Sequence, residues 1–242
     1  MNQAVNFSSI ENNLIFEDHP NPSWARQKWI SLDGEWTIEH QRQKHCIQVP
    51  YPIGSELSGV HFKDKGTFKY SKSIEIMKLF ENKRFILNVG ACDYSTTVFV
   101  NHARIGRHIG GYSSFTFDIT EALHQGTNEL EFIVQDSHSP FQVRGKQTFL
   151  RKPFYVWYNG ISGIWQNVWM EIVDRTYLMQ GELNSDFDTN ILRGRIPTSL
   201  TANNSSESPE IADYCLHIEI VTPHGETINL NPVKMNNKGE FH

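Results

Sequence analysis

The sequence predicts an all-β protein, an antiparallel sandwich or jelly roll. Three observations carry that prediction. Short stretches alternate apolar and polar side chains with the two-residue period of half-buried strands. An aromatic content of 12%, with 16 Gly and 10 Pro, supplies strand formers and turn formers together. No stretch sustains a helical apolar period beyond one or two turns.

Residues 1–30 read as an extended, capping segment, because Asp18-His19-Pro20-Asn21-Pro22 cannot hold a helix. The first clear strand is Glu35 to Glu39, with Trp36 and Ile38 on one face. Thr67 to Ile76 follows: Phe68, Tyr70, Ile74 and Ile76 face one way, and Lys69, Ser71, Ser73 and Glu75 the other. Phe85 to Val89 and Thr96 to Val100 are rich in β-branched and aromatic residues. Between them Gly90 to Tyr94 reads as a turn or bulge. Asn101-His102-Ala103-Arg104 is a hairpin connection, and Gly110-Gly111 punctuates the next turn. Phe115, Phe117 and Ile119 alternate, a short helical turn fits Ile119 to His124, and Leu130, Phe132 and Val134 alternate again. After a long polar connection, Val168, Met170 and Ile172 mark another strand.

The character changes near Arg175. Thr201 to Glu210 is a polar run expected to be a mobile loop. Tyr214, Leu216, Ile218 and Ile220 then alternate, Pro223-His224-Gly225 turns, and Ile228 and Leu230 continue. The division expected is one sandwich over 1–176 and part of a second over 177–242.

Composition excludes some function classes. Asp+Glu number 27 and Lys+Arg 22, a formal charge of −5, so no basic excess exists to displace counterions from nucleic acid. A long, weakly charged stretch, Arg84 to His102, alternates and is broken by Asn88, Gly90 and Asp93, so no membrane helix is expected. The first residues show no basic and apolar leader, and Cys46, Cys92 and Cys215 form no CxxC or disulfide framework. These features fit a cytoplasmic protein.

Motifs for chemistry are sparse. The 11 histidines have no metal-ligand spacing, so neither metal nor cofactor is expected. Asn6-Phe7-Ser8 and Asn203-Asn204-Ser205 match the glycosylation triplet by chance. Glu129 and Glu131 fall on the solvent face of their strand, and no carboxylate pair suits glycoside hydrolysis. Two segments stand out. Arg144-Gly145-Lys146-Gln147 sets two cations and an amide around a glycine, able to grip hydroxyls or a carboxylate; a solvated turn is the competing reading. Trp157-Tyr158, with Trp165 and Gln166, could stack on sugar C–H faces or bury a protein interface.

Taken in order, these segments resemble the N-terminal domain of glycoside hydrolase family 2, the group of β-galactosidases, β-glucuronidases and β-mannosidases. The resemblance runs from His19-Pro20-Asn21-Pro22 and Leu32-Asp33-Gly34-Glu35-Trp36, through Val49-Pro50-Tyr51-Pro52, Ser55 to Gly59, Gly90 to Tyr94 and Val98 to Asn101, to Gly106-Arg107-His108-Ile109-Gly110-Gly111-Tyr112. It closes on Phe115 to Thr120, Arg144 to Gln147 and Gly163 to Trp169, covering about residues 17–175. It implies a jelly-roll sugar-binding domain followed by part of an immunoglobulin-like sandwich. The family's hairpin Asn-Gly reads Asn101-His102 here, which implies a different turn. Where some members place an acidic residue that reaches the sugar, this chain has Trp157.

The family's two catalytic glutamates lie on a (β/α)8 barrel beyond the second sandwich, and this chain ends before one. The resemblance therefore implies a chain inactive alone, drawn from a retaining β-glycosidase, that helps wall the sugar site of a missing barrel. Arg144, Gly145, Lys146, Gln147, Trp157 and Tyr158 are the expected wall residues. An autonomous carbohydrate-binding module, or a protein-interaction or self-associating module using Trp157, Tyr158 and Trp165, are the alternatives.

Overall fold

The computed structural model describes residues 19–62, 65–77, 82–150, 152–175, 177–178, 182–186, 191–197, 215–222, 224–234 and 240–241. Residues 1–18, the polar run 201–210 and both glycosylation triplets lie outside the described residues. The chain divides into two units, 1–173 and 174–242.

The first unit is a β-sandwich. Its strands are β1 (Trp29–Ser31), β2 (Gly34–His40), β3 (Gln43–Val49), β4 (Thr67–Ile76), β5 (Lys83–Val89), β6 (Cys92–Asp93), β7 (Ser95–Val100), β8 (Ala103–Ile109), β9 (Phe115–Asp118), β10 (Gly126–Gln135), β11 (Gly163–Ile164) and β12 (Val168–Asp174). Six strands form one sheet in the order β3-β2-β4-β10-β7-β8, and four form the other as β1-β12-β5-β9. Strands β11 and β6 make a small third ladder. Helical content among the described residues is limited to three-residue 3-10 turns, one of them at Thr120–Ala122. No helix there is long and apolar enough to cross a membrane.

The longest ladder joins β4 and β10 antiparallel, from Thr67 opposite Gln135 to Ile76 opposite Gly126. The predicted alternation decides what it buries. Phe68, Tyr70, Ile74 and Ile76 point into the sandwich beside Leu130, Phe132 and Val134, all buried. Trp36 packs edge-on against Phe132 at 5.4 Å and closes the same layer. Truncating Phe132 to alanine there would cost about 3–5 kcal/mol, the transfer term plus an unfilled cavity.

The four-stranded sheet is buried on both faces, so β5 and β12 do not alternate. Phe85, Leu87, Val168 and Met170 belong to the core. Behind the sheet, His19 stands edge-on to Trp29 at 4.8 Å and to Trp169 at 6.0 Å. The buried Glu171 accepts a 2.9 Å bond from the Trp169 indole and pairs with Arg26 at 3.4 Å. Burial holds the His19 imidazole below its ordinary pKa, against the pull of the Glu171 charge.

Two expectations need correction. Glu131 does lie on the outer face of β10, but it is buried. Its carboxylate is paired with Lys69, and His102 Nδ1 lies 3.7 Å away, so long neighbouring side chains roof it over. The β7–β8 turn, expected to differ from the family's Asn-Gly geometry, instead has positive φ at both residues, 49° at Asn101 and 67° at His102. That is the two-residue form that matches strand twist.

The second unit is also antiparallel. Strand β13 (Glu182–Asp186) pairs with β14 (Ile191–Pro197), which also pairs with β19 (Glu240–Phe241). Strand β15 (Cys215–Leu216) pairs with β18 (Val233–Lys234), and β16 (Glu219–Val221) with β17 (Thr227–Asn229). Gly225, at φ 82°, serves the turn between the last two.

Candidate functional site

The connection from β10 to β11 is long, and a buried amide anchors it. Gln147 Nε2 donates to Asp93 Oδ2 at 2.7 Å and lies 2.9 Å from the Tyr112 hydroxyl. Its Oε1 accepts from the Ile161 backbone at 2.8 Å. The Tyr112 hydroxyl in turn donates to the Arg144 carbonyl at 2.7 Å. One side chain thus ties the loop to β6, to the β8–β9 turn and to the approach to β11. Two glycines make room. A Cβ on Gly111 would sit 2.6 Å from Asp93 Oδ1, and one on Gly163, already at φ 82°, would collide with the Tyr70 hydroxyl.

Charge is balanced beneath the loop. Lys65 Nζ meets Asp136 Oδ2 at 2.5 Å and the Ile161 carbonyl at 3.0 Å, and Ser162 also donates to Asp136. The Asp93 carboxylate, by contrast, accepts its side-chain hydrogen bond from the neutral Gln147 amide. Burial first, then the charge of Asp136, push its carboxyl up to about 6, although the Gln147 bond and the cations Lys65 and Arg144 oppose this.

All six residues expected at the site come together here, in distinct ways. Short stretches around Gln147 and Tyr158 run side by side: Tyr158 N donates to the Lys146 carbonyl at 2.9 Å, and Thr148 N to the Tyr158 carbonyl at 2.8 Å. Arg144 turns its guanidinium inward onto the carbonyls of Ser137, Ser139 and Thr148. Gly145 adopts φ 57° below the Tyr112 ring. Gln147 is buried and its amide is committed to protein groups. Lys146 lies exposed with Nζ 5.8 Å from the centre of the exposed Tyr158 ring. Trp157 is half-buried against Phe149, ring centres 5.9 Å apart. Lys146, Trp157 and Tyr158 therefore carry the outward surface, while Arg144 and Gln147 hold it in place.

Trp165 has a different place. Its indole donates to the Gly111 carbonyl at 2.7 Å, and its ring meets Tyr112 edge-on. Sequence reasoning missed Asp93, Tyr112, Lys65 and Asp136 as members of this network. The Gly110-Gly111 pair was the available signal, because a glycine that punctuates a turn also permits a close approach. Among the described residues, His102, Glu129 and Glu131 have ligand atoms within 4.8 Å of one another, a grouping that spacing along the chain did not show. Lys69 already neutralises Glu131, so the three are not read as a metal centre.

A family model described as "Glycosyl hydrolases family 2, sugar binding domain" matches residues 2–171. The β-glucuronidase of Bacteroides fragilis is 25% identical over 158 residues, 63% of this chain and 22% of that protein. The β-galactosidase of Thermoanaerobacter pseudethanolicus is 30% identical over 109 residues, 45% of this chain and 14% of that protein. The chain spans 12% to 22% of the length of the curated relatives it matches. Among solved structures, a Bifidobacterium dentium β-glucuronidase complexed with coumarin-3-O-glucuronide superposes with a TM-score of 0.64 at 15% identity, over 90% of this chain and 42% of that one. A Ruminococcus gnavus β-glucuronidase in complex with D-glucuronic acid gives 0.62 at 16% identity, over 90% and 40%. At such identities the likeness is one of fold.

Proposed function

Because the chain belongs to glycoside hydrolase family 2, as its sugar-binding domain, we propose that it is the non-catalytic N-terminal portion of a retaining β-glycosidase and helps wall the sugar site of a (β/α)8 barrel. The Gln147 anchor is the observation that carries this reading. A buried amide with three partners fixes a loop whose outward face is aromatic and cationic. Along the loop Phe141 is 93% exposed, Tyr155 96% and Tyr158 65%, more apolar surface than an isolated sandwich has reason to show. Such rings suit the C–H faces of a sugar or its aglycone, and Lys146 supplies a charge beside them.

In this reading residues 1–176 are the jelly-roll unit, and residues 177–242 begin an immunoglobulin-like sandwich. The free thiols of Cys46, Cys92 and Cys215 support a reducing, cytoplasmic setting. The test uses a family 2 enzyme that carries this domain ahead of its barrel. There, Tyr158→Ala and Lys146→Ala raise KM for nitrophenyl β-glycosides about three- to tenfold and leave kcat nearly unchanged, the pattern of lost uniform binding. Both side chains are exposed, so folding survives. The 242-residue chain alone turns over no nitrophenyl β-galactoside or β-glucuronide. Unchanged KM in both variants would remove the loop from the sugar site, and turnover by the chain alone would refute the non-catalytic assignment.

A further inference from the structure

We infer that Asn159 is a site of spontaneous deamidation, and that the isoaspartate formed there releases the loop between β10 and β11 from its Gln147 anchor. This does not rest on the wall reading, because it concerns the covalent chemistry of the loop itself. Asparagine is a thermolabile residue, and the group that attacks it is the peptide nitrogen that follows. Asn159-Gly160 is the single Asn-Gly pair among the 242 residues. Without a Cβ on Gly160, that nitrogen is open to the Asn159 carboxamide.

The fold leaves this peptide accessible and fixes the peptides around it. Asn159 and Gly160 are both exposed and belong to no strand. Among the described residues, neither the Asn159 carboxamide nor the Gly160 N–H holds a hydrogen bond. One residue earlier, Tyr158 N donates to the Lys146 carbonyl and the Tyr158 carbonyl accepts from Thr148 N. One residue later, Ile161 N donates to Gln147 Oε1 at 2.8 Å and the Ile161 carbonyl accepts from Lys65 at 3.0 Å. Charge acts in the same direction. Between Asp136 and Glu171 the sequence has no acidic residue, but it has Arg144, Lys146, Arg151 and Lys152. A cationic setting favours the negative charge that develops on the attacking nitrogen as its proton leaves, and the carboxylate of the product.

The chemistry needs only water. Gly160 N bonds to Asn159 Cγ, the Cγ–Nδ2 bond breaks, and the carboxamide nitrogen departs as ammonia with the proton that the peptide nitrogen gave up. One water then opens the resulting succinimide. Opening at Cγ gives aspartate; opening at the main-chain carbonyl carbon gives isoaspartate, whose chain runs through Cβ and Cγ. Isoaspartate lengthens the backbone by one C–C bond, about 1.5 Å. Hydrogen bonds hold only over about 2.7–3.2 Å. The bonds at Tyr158 and at Ile161 lie on opposite sides of the insertion, so the lengthened chain cannot keep both sets, and the tie between Gln147 and Ile161 is lost.

The experiment is incubation of the 242-residue chain in mildly acidic and mildly alkaline buffer, followed by peptide mapping and by labelling with an isoaspartyl methyltransferase. The peptide holding Asn159 is expected to gain the mass of an amide-to-acid exchange and to become a methyl acceptor, faster in the alkaline buffer. Asn167, whose carboxamide bonds to Asp33 at 2.6 Å, is the internal reference and is expected to stay intact. Gly160→Ala is expected to lose most of the gain and still fold, since the new Cβ would first meet the flexible Lys65 side chain, at 3.3 Å. In the aged chain the Thr148 and Ile161 amides are expected to lose protection from hydrogen exchange while the β4–β10 ladder keeps it. Asn159→Asp, which brings the charge without the longer backbone, is expected to keep that protection. The inference is overturned by no gain at Asn159, by an equal gain at Asn167 or in Gly160→Ala, by unchanged protection in the aged chain, or by equal loss of protection in Asn159→Asp.

Discussion

Asn101 and His102 show how a single residue is held in a backbone region it does not prefer. Positive φ suits glycine, and asparagine and histidine tolerate it at some cost. Asn101 meets that cost with its side chain: Nδ2 donates to the Ala122 carbonyl and to Asn128 Oδ1, both at 2.8 Å, and Oδ1 accepts from Glu129 N at 2.9 Å. His102 has no such set; its ring is exposed and 3.7 Å from Glu131. His102→Gly is therefore expected to stabilise the fold by about 0.5 kcal/mol, the relief of strain less the added freedom of the unfolded chain. Asn101→Ala is expected to cost about 2–3 kcal/mol, since three partners lose their bonds. Urea midpoints of the two variants check both signs. Propensity along the sequence marks the missing glycine, but not the bonds that Asn101 donates to Ala122 and Asn128 and accepts from Glu129, which make the turn tolerable. That is why this turn was misjudged.

At the scale of elements, legibility followed burial. Strands β4 and β10, each with one buried face, were read to within a few residues because alternation is the physical consequence of a half-wet sheet. Strand β3 was not read, since Gln43 to Cys46 are all exposed and only Ile47 and Val49 reach the core. The long loop was recognised by its Arg144-Gly145-Lys146-Gln147 and its aromatics, but its internal logic was out of reach. The partners of Gln147 lie 54 residues away at Asp93 and 35 away at Tyr112. A polar residue that organises a loop and one that greets a ligand look alike in sequence; burial separates them. Gln147→Ala leaves the Asp93 carboxylate, the Ile161 amide and the Tyr112 hydroxyl each short of a partner, a local cost of about 2–4 kcal/mol. The expected result is a loop that opens some ten- to a hundredfold more often, seen as faster chymotryptic cleavage at Phe141 and Tyr155 with the β4–β10 ladder still protected from hydrogen exchange. Equal cleavage in both proteins would show that the anchor does not hold the loop.

At the scale of the whole molecule, the same anchor makes stability depend on pH in an unusual direction. Carboxylates commonly stabilise a fold as they ionise, and Asp118 does so. Burial tends to raise its pKa, but bonds from Thr120 and the Arg84 guanidinium outweigh that and hold it below the ordinary range. Its contribution is present at neutral pH and is lost as acid protonates it. Asp93 is the opposite case, with a folded pKa of about 6 against about 3.9 when unfolded. Below the lower value both states are protonated and burial carries no charge penalty. Between the two values the folded state holds a proton that the unfolded state has released, so stability falls as pH rises. Above about 6 both are ionised, and the accumulated loss is about 3 kcal/mol at 1.36 kcal/mol per unit. Asp93→Asn keeps an oxygen to accept from Gln147 and removes the charge. The variant is therefore expected to match the natural chain near pH 4 and to exceed it by about 3 kcal/mol at pH 7, with the gap opening mainly between those values. Thermal melts of both proteins across this range decide the matter. A constant gap would mean that Asp93 is not titrating inside the fold, and a gap that narrows with rising pH would mean that its partners hold the charge better than burial opposes it.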